Sequence, residues 1–427
     1  MDKFDAIVVG AGLAGLASAH TLAGAGLEVL VMERGDYPGA KNLSGGRLYV
    51  NPVRDLFPGL WEGAPFERHI VREGFALLSP EHSVSVDYSG EELRREPYQS
   101  YSVLRSKFDR WLGERVEEKG AVVLPKVRVD GVIRQDGKVV GVRAGGDELA
   151  ADVVIACDGA LSLIPEMAGL REPAPLEHYA VGVKEIIRLD PEAIESRFGV
   201  EGDQGAARLF VGEVTRGRFG GGFLYTNKDS LSLGVVLGIE GAMEGDPIDV
   251  PALLDDFKAR PEIAGLIRGG ETVEYGAHLI PEGGFRALSR LFGDGILVAG
   301  DSAGLALNMG VTVRGMEFAL ASGYFAAQAV LRAREAGSFG AEALAVYEKL
   351  LEQSFVLQDL KSFRETPAVL SNPRFFGHYP ELLGRVLGDV YAVPAGPKER
   401  LYPTVRKHLT LGEMWGLVKD LRKVTKV

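Results

Sequence analysis

Residues 298–323 read VAGDSAGLALNMGVTVRGMEFALASG. An apolar run from Ile296 to Ala299 closes on the pair Gly300–Asp301, and a stretch punctuated by Gly304, Asn308 and Gly310 follows. From about Thr312 to about Ala336 the residues take the spacing of an amphipathic helix. Apolar residues bounded by turn formers predict a short buried strand, and the later periodicity predicts a helix packed against it. A strand that ends in an acid and hands over to a helix start gathers a carboxylate and unpaired N–H groups at one sheet edge. Taken alone, Asp301 reads equally well as a simple helix N-cap.

The start of the chain breaks that tie. Asp5 to Val9 predicts a buried strand, Leu13 to Ala25 a helix of small residues, and Leu27 to Met32 a second strand ending at Glu33. Between the first strand and the helix stands Gly10-Ala11-Gly12-Leu13-Ala14-Gly15. In this pattern Gly10 permits the tight turn, Gly12 lets backbone approach a pyrophosphate, and Gly15 allows close helix–strand contact. The helix N-terminus then presents N–H groups to the phosphates, and Glu33 can accept hydrogen bonds from a ribose. With Gly300–Asp301 and its helix far downstream, this dinucleotide site becomes one for FAD. Asp301 is expected at a ribityl hydroxyl or phosphate. The helix from Thr312 is expected to aim N–H groups at the flavin N1 and C2 carbonyl, where charge gathers on reduction.

At 427 residues the chain exceeds one ordinary domain, and its 46% apolar and 25% charged residues are those of a globular protein. Its single cysteine, Cys157, excludes an internal disulfide and any all-cysteine metal site in this chain. The apolar stretch 6–32 lacks a basic n-region and is interrupted by Ser18, His20, Thr21 and Glu28, which argues against a signal peptide or membrane span. A net charge of −11 argues against nucleic-acid binding. The charge is uneven: Lys398 to Val427 carries eight basic and three acidic residues, +5 against −16 for the rest. With Trp415, Leu417 and Val418, that tail reads either as a solvated helix face or as a surface for anionic lipid or an acidic protein.

The fold expected is α/β plus α+β: a Rossmann-like FAD-binding lobe of the glutathione-reductase type, an inserted antiparallel-sheet lobe and a C-terminal helical lobe. The FAD lobe is expected in three pieces, 1–75, 101–175 and 286–340. The strand-rich lobe is expected at 76–100 and 176–285, and the helical lobe, a partner surface, at 341–427. Ser106 is a candidate N-cap for a helix to Lys119. Arg105 stands beside it, able to reach the cofactor or to pair with Asp109. Asp158–Gly159 ends another apolar strand. Arg314 can serve the flavin's charge or pair with Glu317 three residues on. Leu56, Phe57, Leu60 and Trp61 form an apolar cluster suited to core, interface or bilayer. The seven histidines show no metal-ligand spacing, and no general acid or base stands out.

The segments GAGLAG (10–15), KNLSGGRLY (41–49), YSVLRSKFDRWL (101–112), GGGFLYTNKDSLSLGVVLG (220–238) and GDSAGLALNMGVTVRGMEFALASG (300–323) give the chain a resemblance to FixC-type flavoproteins. These are relatives of electron-transfer-flavoprotein:quinone oxidoreductase and, more distantly, of geranylgeranyl reductases and aromatic hydroxylases. The resemblance implies that Lys41, Asn42, Ser44, Gly45 and Gly46 lie on the loop beside the flavin ring, and Met309, Gly310 and Val311 at its other edge. It places Arg34, Arg105, Val129 (through its backbone), Asp158 and Gly159 in the nucleotide site. It implies electron passage between FAD and a membrane quinone, in a complex with the alpha and beta subunits of an electron-transfer flavoprotein and a ferredoxin-like iron–sulfur subunit. Some such complexes bifurcate electrons from NADH. The implied location is cytoplasmic, peripheral on the inner face of the cell membrane. Larger members carry four cysteine ligands in a ferredoxin-like domain, so the lone Cys157 implies that the cluster sits in another chain. Gly-Phe-Leu-Tyr-Thr-Asn at 222–227 departs from the Tyr-x-Trp-x-Phe-Pro-like motif of prenyl reductases. The alternative is a soluble FAD enzyme that reduces isoprenoid double bonds or hydroxylates aromatic rings.

Overall fold

The computed structural model describes residues 3–42 and 45–425. Five parallel strands lie in the order Ile296–Val298, Asp147–Ala156, Lys3–Val9, Val29–Met32 and Val122–Leu124. Their registers align the C-terminal ends, with Val9 opposite both Ala156 and Met32, and Ala156 opposite Val298. The runs are apolar on both faces because helices cover both sides. Phe292–Gly293 and the hairpin Val129–Gln135/Lys138–Ala144 complete an eight-stranded sheet.

Helix α1 (Leu13–Gly24) follows the glycine turn, α2 (Arg105–Glu118) precedes Val122–Leu124, and α3 (Met316–Glu335) packs along α1. Glycines set these approaches. A Cβ on Gly15 would stand 1.9 Å from the Gly10 carbonyl oxygen, and one on Gly323 would stand 2.0 Å from that of Ala14. Two expected boundaries moved. Helix α2 begins at Arg105 with Leu104 at the cap position, so Ser106 is not its N-cap. Helix α3 begins at Met316, not Thr312, because residues 307–314 close a small hairpin that pairs Leu307 with Arg314. Its turn is held by Asn308 Oδ1, which accepts from the Gly310 N–H at 2.8 Å, and by Met309 N–H donating to the Thr312 carbonyl at 2.9 Å.

The second sheet has nine strands. It runs Glu271–Pro281, Tyr179–Arg188, Ser230–Gly238, Gly220–Thr226, Gln204–Gly212, Phe66–Leu78, Ser100–Val103, Gly46–Tyr49, with Ser83–Tyr88 on Phe66–Leu78. It is antiparallel except where Gln204–Gly212 meets Phe66–Leu78 in parallel. Gly46–Tyr49 joins this sheet, and the boundary drawn at residue 76 falls inside one of its strands. One face buries Leu224, Leu233 and Val235 under short helices carrying Phe198, Leu253 and Phe257. Strand alternation turns Lys184, Phe223 and Tyr225 to the other face, toward the first lobe.

Phe57 and Leu60 are buried in the main core, with Leu56 and Trp61 packed against it, so this apolar cluster is core. The C-terminal segment is helical. Helix α4 (His378–Tyr391) packs on the strands Phe66–Leu78 and Ser83–Tyr88, and α5 (Leu401–His408) and α6 (Leu411–Val424) follow. No helix among the described residues is long and apolar enough to cross a membrane.

Gly323→Ala forces a methyl group into the backbone of α1. It is expected to destabilise the protein by about 3 kcal/mol, read from the urea unfolding midpoint, the upper end for overpacking a tight core. Gly24→Ala, at the far end of α1 where a Cβ would meet nothing closer than 4.0 Å, is the control and should cost far less.

Candidate functional site: a cofactor cavity where two lobes meet

A cavity of about 420 Å³ opens at the C-terminal ends of the parallel strands. Such strand ends are where open α/β sheets take their ligands. Gly10, Gly12, Leu13 and Ala14 line it from the first turn, and Gly300 and Asp301 from the last parallel strand. The remaining expected residues at its wall are Glu33, Arg34, Lys41, Asn42, Arg105, Val129, Asp158 and Gly159. Sequence positions nearly 300 residues apart thus share one wall.

The turn is built for close approach. Gly10 has φ +101°, and a Cβ there would stand 2.3 Å from the Cys157 carbonyl oxygen. Gly12 occupies the cap position of α1 with no side-chain cap, leaving the helix's first N–H groups open to a ligand. Glu33 Oε2 accepts the Ala11 N–H at 2.9 Å and Oε1 the Gly35 N–H at 2.6 Å, fixing the carboxylate at the end of its strand. Asp158 accepts from the Ser302 hydroxyl at 3.0 Å and the Ile164 N–H at 3.1 Å, tying two strand ends together. Asp301 caps no helix: it lies within the short 3-10 turn Gly300–Ala303, whose cap position is Ala299, and α3 starts only at Met316; among the described residues its carboxylate has no hydrogen-bond donor. It faces the cavity, and burial pushes its carboxyl above the usual range against the pull of Arg105.

Arg105 pairs with Asp109 and stands at the cavity wall, its Nε and Nη2 each donating to that carboxylate at 2.7 Å. Asp109, fully buried, also accepts from Asn42 Nδ2 at 2.6 Å, so one carboxylate holds both cavity residues. Arg314 also lines the cavity, but its guanidinium is committed elsewhere. It donates to Glu317 at 2.7 Å and Asp359 at 2.6 Å, and lies over the Phe318 and Phe355 rings. It therefore clamps the start of α3 to the Phe355–Ser362 helix.

The second sheet contributes residues that motif reading missed. His278 lines the cavity and is pushed down to about 4 by burial, then by Arg105, Lys184 and Arg34. Lys184, fully buried, is pushed down to about 7 by burial and by Arg105, and donates to the Gly45 carbonyl. Glu282 is pushed up to about 7 by burial and accepts from Asn308 Nδ2 at 3.1 Å, linking this sheet to the 307–314 hairpin. The available signal was Lys184 itself, a charge inside the run YAVGVKEIIR. Arg34, Lys41, Arg105 and Arg128 stand at the cavity wall, where they can meet a ligand bearing phosphates.

Several expected residues lie off this cavity. Gly15 packs under the turn rather than at the wall. Gly45 lies against Ser232 and Ile186, and Gly46 against Met316. Ser44 falls outside the described residues. Met309 packs on the core, and Gly310 holds φ +84° at the hairpin turn. Val311 lines a second cavity of about 260 Å³ on the face of the nine-stranded sheet that carries Tyr225. Val313 lines both cavities, so the hairpin is their common wall.

Residues 3–197 match the family of FAD binding domains. The chain is 45% identical over 419 residues to the probable electron transfer flavoprotein-quinone oxidoreductase YdiS of Escherichia coli, covering 98% of this chain and 97% of that protein. It is 40% identical over 430 residues to the protein FixC of Azorhizobium caulinodans, covering 98% and 97%. Among solved structures, a geranylgeranyl bacteriochlorophyll reductase-like protein from Thermoplasma acidophilum superposes with a TM-score of 0.73. It is 20% identical and covers 99% of this chain and 100% of the other. The cofactor is FAD, and the glycine turn, free helix N-terminus and wall cations fit its pyrophosphate.

The lowered Lys184 value has a thermodynamic consequence. The unfolded chain holds this proton up to its ordinary value of 10.5, the folded one only up to about 7. Between those values the unfolded state binds more protons, so stability rises with pH; below the window the penalty of a buried charge is fully present. In the flavin-free protein, Lys184→Met should remove this rise. The variant's stability relative to wild type, from urea midpoints at pH 7 and pH 10, should therefore be higher at pH 7. An equal difference at both pH values would contradict it.

Proposed function

From the premise that the chain belongs to the FixC family of FAD-dependent oxidoreductases, related to electron-transfer-flavoprotein–quinone oxidoreductase, we propose that it passes electrons to a quinone held at a membrane surface. When bound, FAD would supply the two-electron redox chemistry that links a reduced electron-transfer flavoprotein to a quinone, the two protons of the quinol coming from solvent. In this reading FAD is held by the glycine turn and Glu33 at its nucleotide end. Arg34, Arg105, Val129 and Asp158–Gly159 bound that end, and Asp301 meets the ribityl chain. At the ring end the 307–314 hairpin reaches the cavity wall through Val313, with Gly45, held by Lys184, behind that wall. No nucleophile is needed for this chemistry.

The observation that carries the membrane assignment is the orientation of α6. Its polar side faces the protein: Glu413 accepts from Arg374 at 3.3 Å and is 2.7 Å from His378 Nε2, and Asp420 accepts from the Tyr379 hydroxyl at 2.5 Å. Its apolar side faces outward, with Leu411 80% and Trp415 69% exposed, and Met414, Val418 and Leu421 in the same stripe. Lys419, Arg422 and Lys423 are exposed along this helix. An outward apolar stripe flanked by cations suits the interface of an anionic bilayer. It also explains the positive tail on an acidic protein. The partners in this reading are the two electron-transfer-flavoprotein subunits and a ferredoxin-like iron–sulfur subunit. Among the described residues Cys157 is buried, and no cluster can hold a metal.

Two measurements test this. Protein reduced anaerobically by one equivalent of dithionite should be reoxidised by menadione faster than by dissolved oxygen in stopped flow; reoxidation by oxygen alone would favour a hydroxylase. Trp415→Glu with Leu411→Glu should lower co-flotation with phosphatidylcholine–phosphatidylglycerol vesicles by about tenfold or more, from the lost apolar burial. Unchanged flotation would remove α6 from the membrane contact.

A further inference from the structure

The second cavity lies across the 311–313 wall from the cofactor cavity. Its floor is the sheet face carrying Tyr225, and its side is Tyr49 on the neighbouring Gly46–Tyr49 strand. Both rings are held in place. The Arg47 guanidinium sits 4.4 Å over the Tyr49 ring, and Tyr225 stacks on Phe223 with centroids 5.2 Å apart. Arg47 is spent on the scaffold: Nη1 donates to Glu73 at 2.7 Å, Nη2 to the same carboxylate, and Nε to the Ser100 hydroxyl at 3.1 Å. The two tyrosyl hydroxyls are not spent. Among the described residues neither has a hydrogen-bond partner, and both rings line the cavity. Both tyrosines are half-buried, so their hydroxyls open onto the cavity and are available to a ligand. Burial pushes Tyr49 up to about 12, and Tyr225 is raised too, so both remain protonated donors at neutral pH. At the rim stand Val86, 66% exposed, and Tyr88, 51% exposed, an apolar lip leading outward.

We propose that this cavity binds the acceptor's quinone ring, with the Tyr49 and Tyr225 hydroxyls donating to its carbonyl oxygens and the isoprenoid tail leaving over Val86 and Tyr88. The assignment rests on the quinone reading above. A flat ring with two acceptor oxygens matches aromatic walls with two fixed donors and no available base. The scaffold favours a neutral ligand, because the nearest charges, Arg47 and Glu73, neutralise each other. The tyrosines hold the ring and lose no proton. Helix α4 packs on the Ser83–Tyr88 strand, with a Cβ on Gly384 reaching His82 at 2.6 Å, so the cavity's lip belongs to the same lobe that carries α6.

The test is equilibrium dialysis of menadione against FAD-loaded protein, with menadione reduction by the same preparations followed in parallel. Tyr49→Phe and Tyr225→Phe should each weaken menadione binding about fivefold, the effect of one net hydrogen bond, at unchanged FAD content. Val311→Trp, at an exposed turn position, should fill the cavity and abolish binding without disturbing the core. If wild type reduces menadione while all three variants bind it as wild type does, the assignment falls and the quinone reading stands. If reduced wild type passes no electrons to menadione, the quinone reading falls and the assignment with it.

Discussion

Two backbone contacts without side chains set the geometry of the cofactor cavity. Gly15 lets α1 sit against the Gly10 turn, and Gly323 lets α3 sit against α1 at Ala14. Together they bring the N-terminus of α1 and the end of the Ile296–Val298 strand to one place, although nearly 300 residues separate them. A methyl group at either glycine would force the helices apart, and the strand ends would no longer share a wall. Each contact carries little energy of its own. Its importance is positional, because the open helix N-terminus and Asp301 must face the same ligand.

Cations and carboxylates share the wall of that cavity. Arg105 is paired with Asp109, and burial first, then the charges of Arg105, Lys184 and Arg34, keep His278 neutral. A protein tolerates such a cluster where an anion is to be bound, and FAD brings two phosphates. In the second cavity the arginine and glutamate pair with each other, leaving aromatic surface and two hydroxyls. The 307–314 hairpin stands between the two cavities, and Glu282 holds it to the sheet through Asn308.

The sequence made the first lobe legible because its constraints are local. GAGLAG, Glu33 and Gly300–Asp301 each announce a turn or strand end, and Gly10, Gly12, Leu13, Ala14, Glu33, Gly300 and Asp301 lie at one cavity. The second sheet was harder. The nine-stranded sheet draws Gly46–Tyr49, Phe66–Leu78 and Ser100–Val103 from early in the chain, a long-range pairing that no local pattern encodes. For the same reason Lys184, His278 and Tyr225 were invisible as site residues, since strand alternation shows that they share a face only once the register is known. The start of α3 was misplaced because Val311 to Arg314 fit a helical period, while the Asn308 side chain closes a hairpin there. The apolar stripe of α6 was visible as composition, but its outward direction was not, since it depends on Arg374, His378 and Tyr379 holding the polar side.

The central claim is that cofactor and acceptor occupy two cavities on either side of residues 311–313. A structure of the FAD-loaded protein soaked with menadione tests it most directly. The account predicts FAD in the cavity of Gly10 and Asp301, with menadione between Tyr49 and Tyr225 across the Val311–Val313 wall. Flavin ring density filling the tyrosine cavity, or menadione bound elsewhere with that cavity empty, would contradict it.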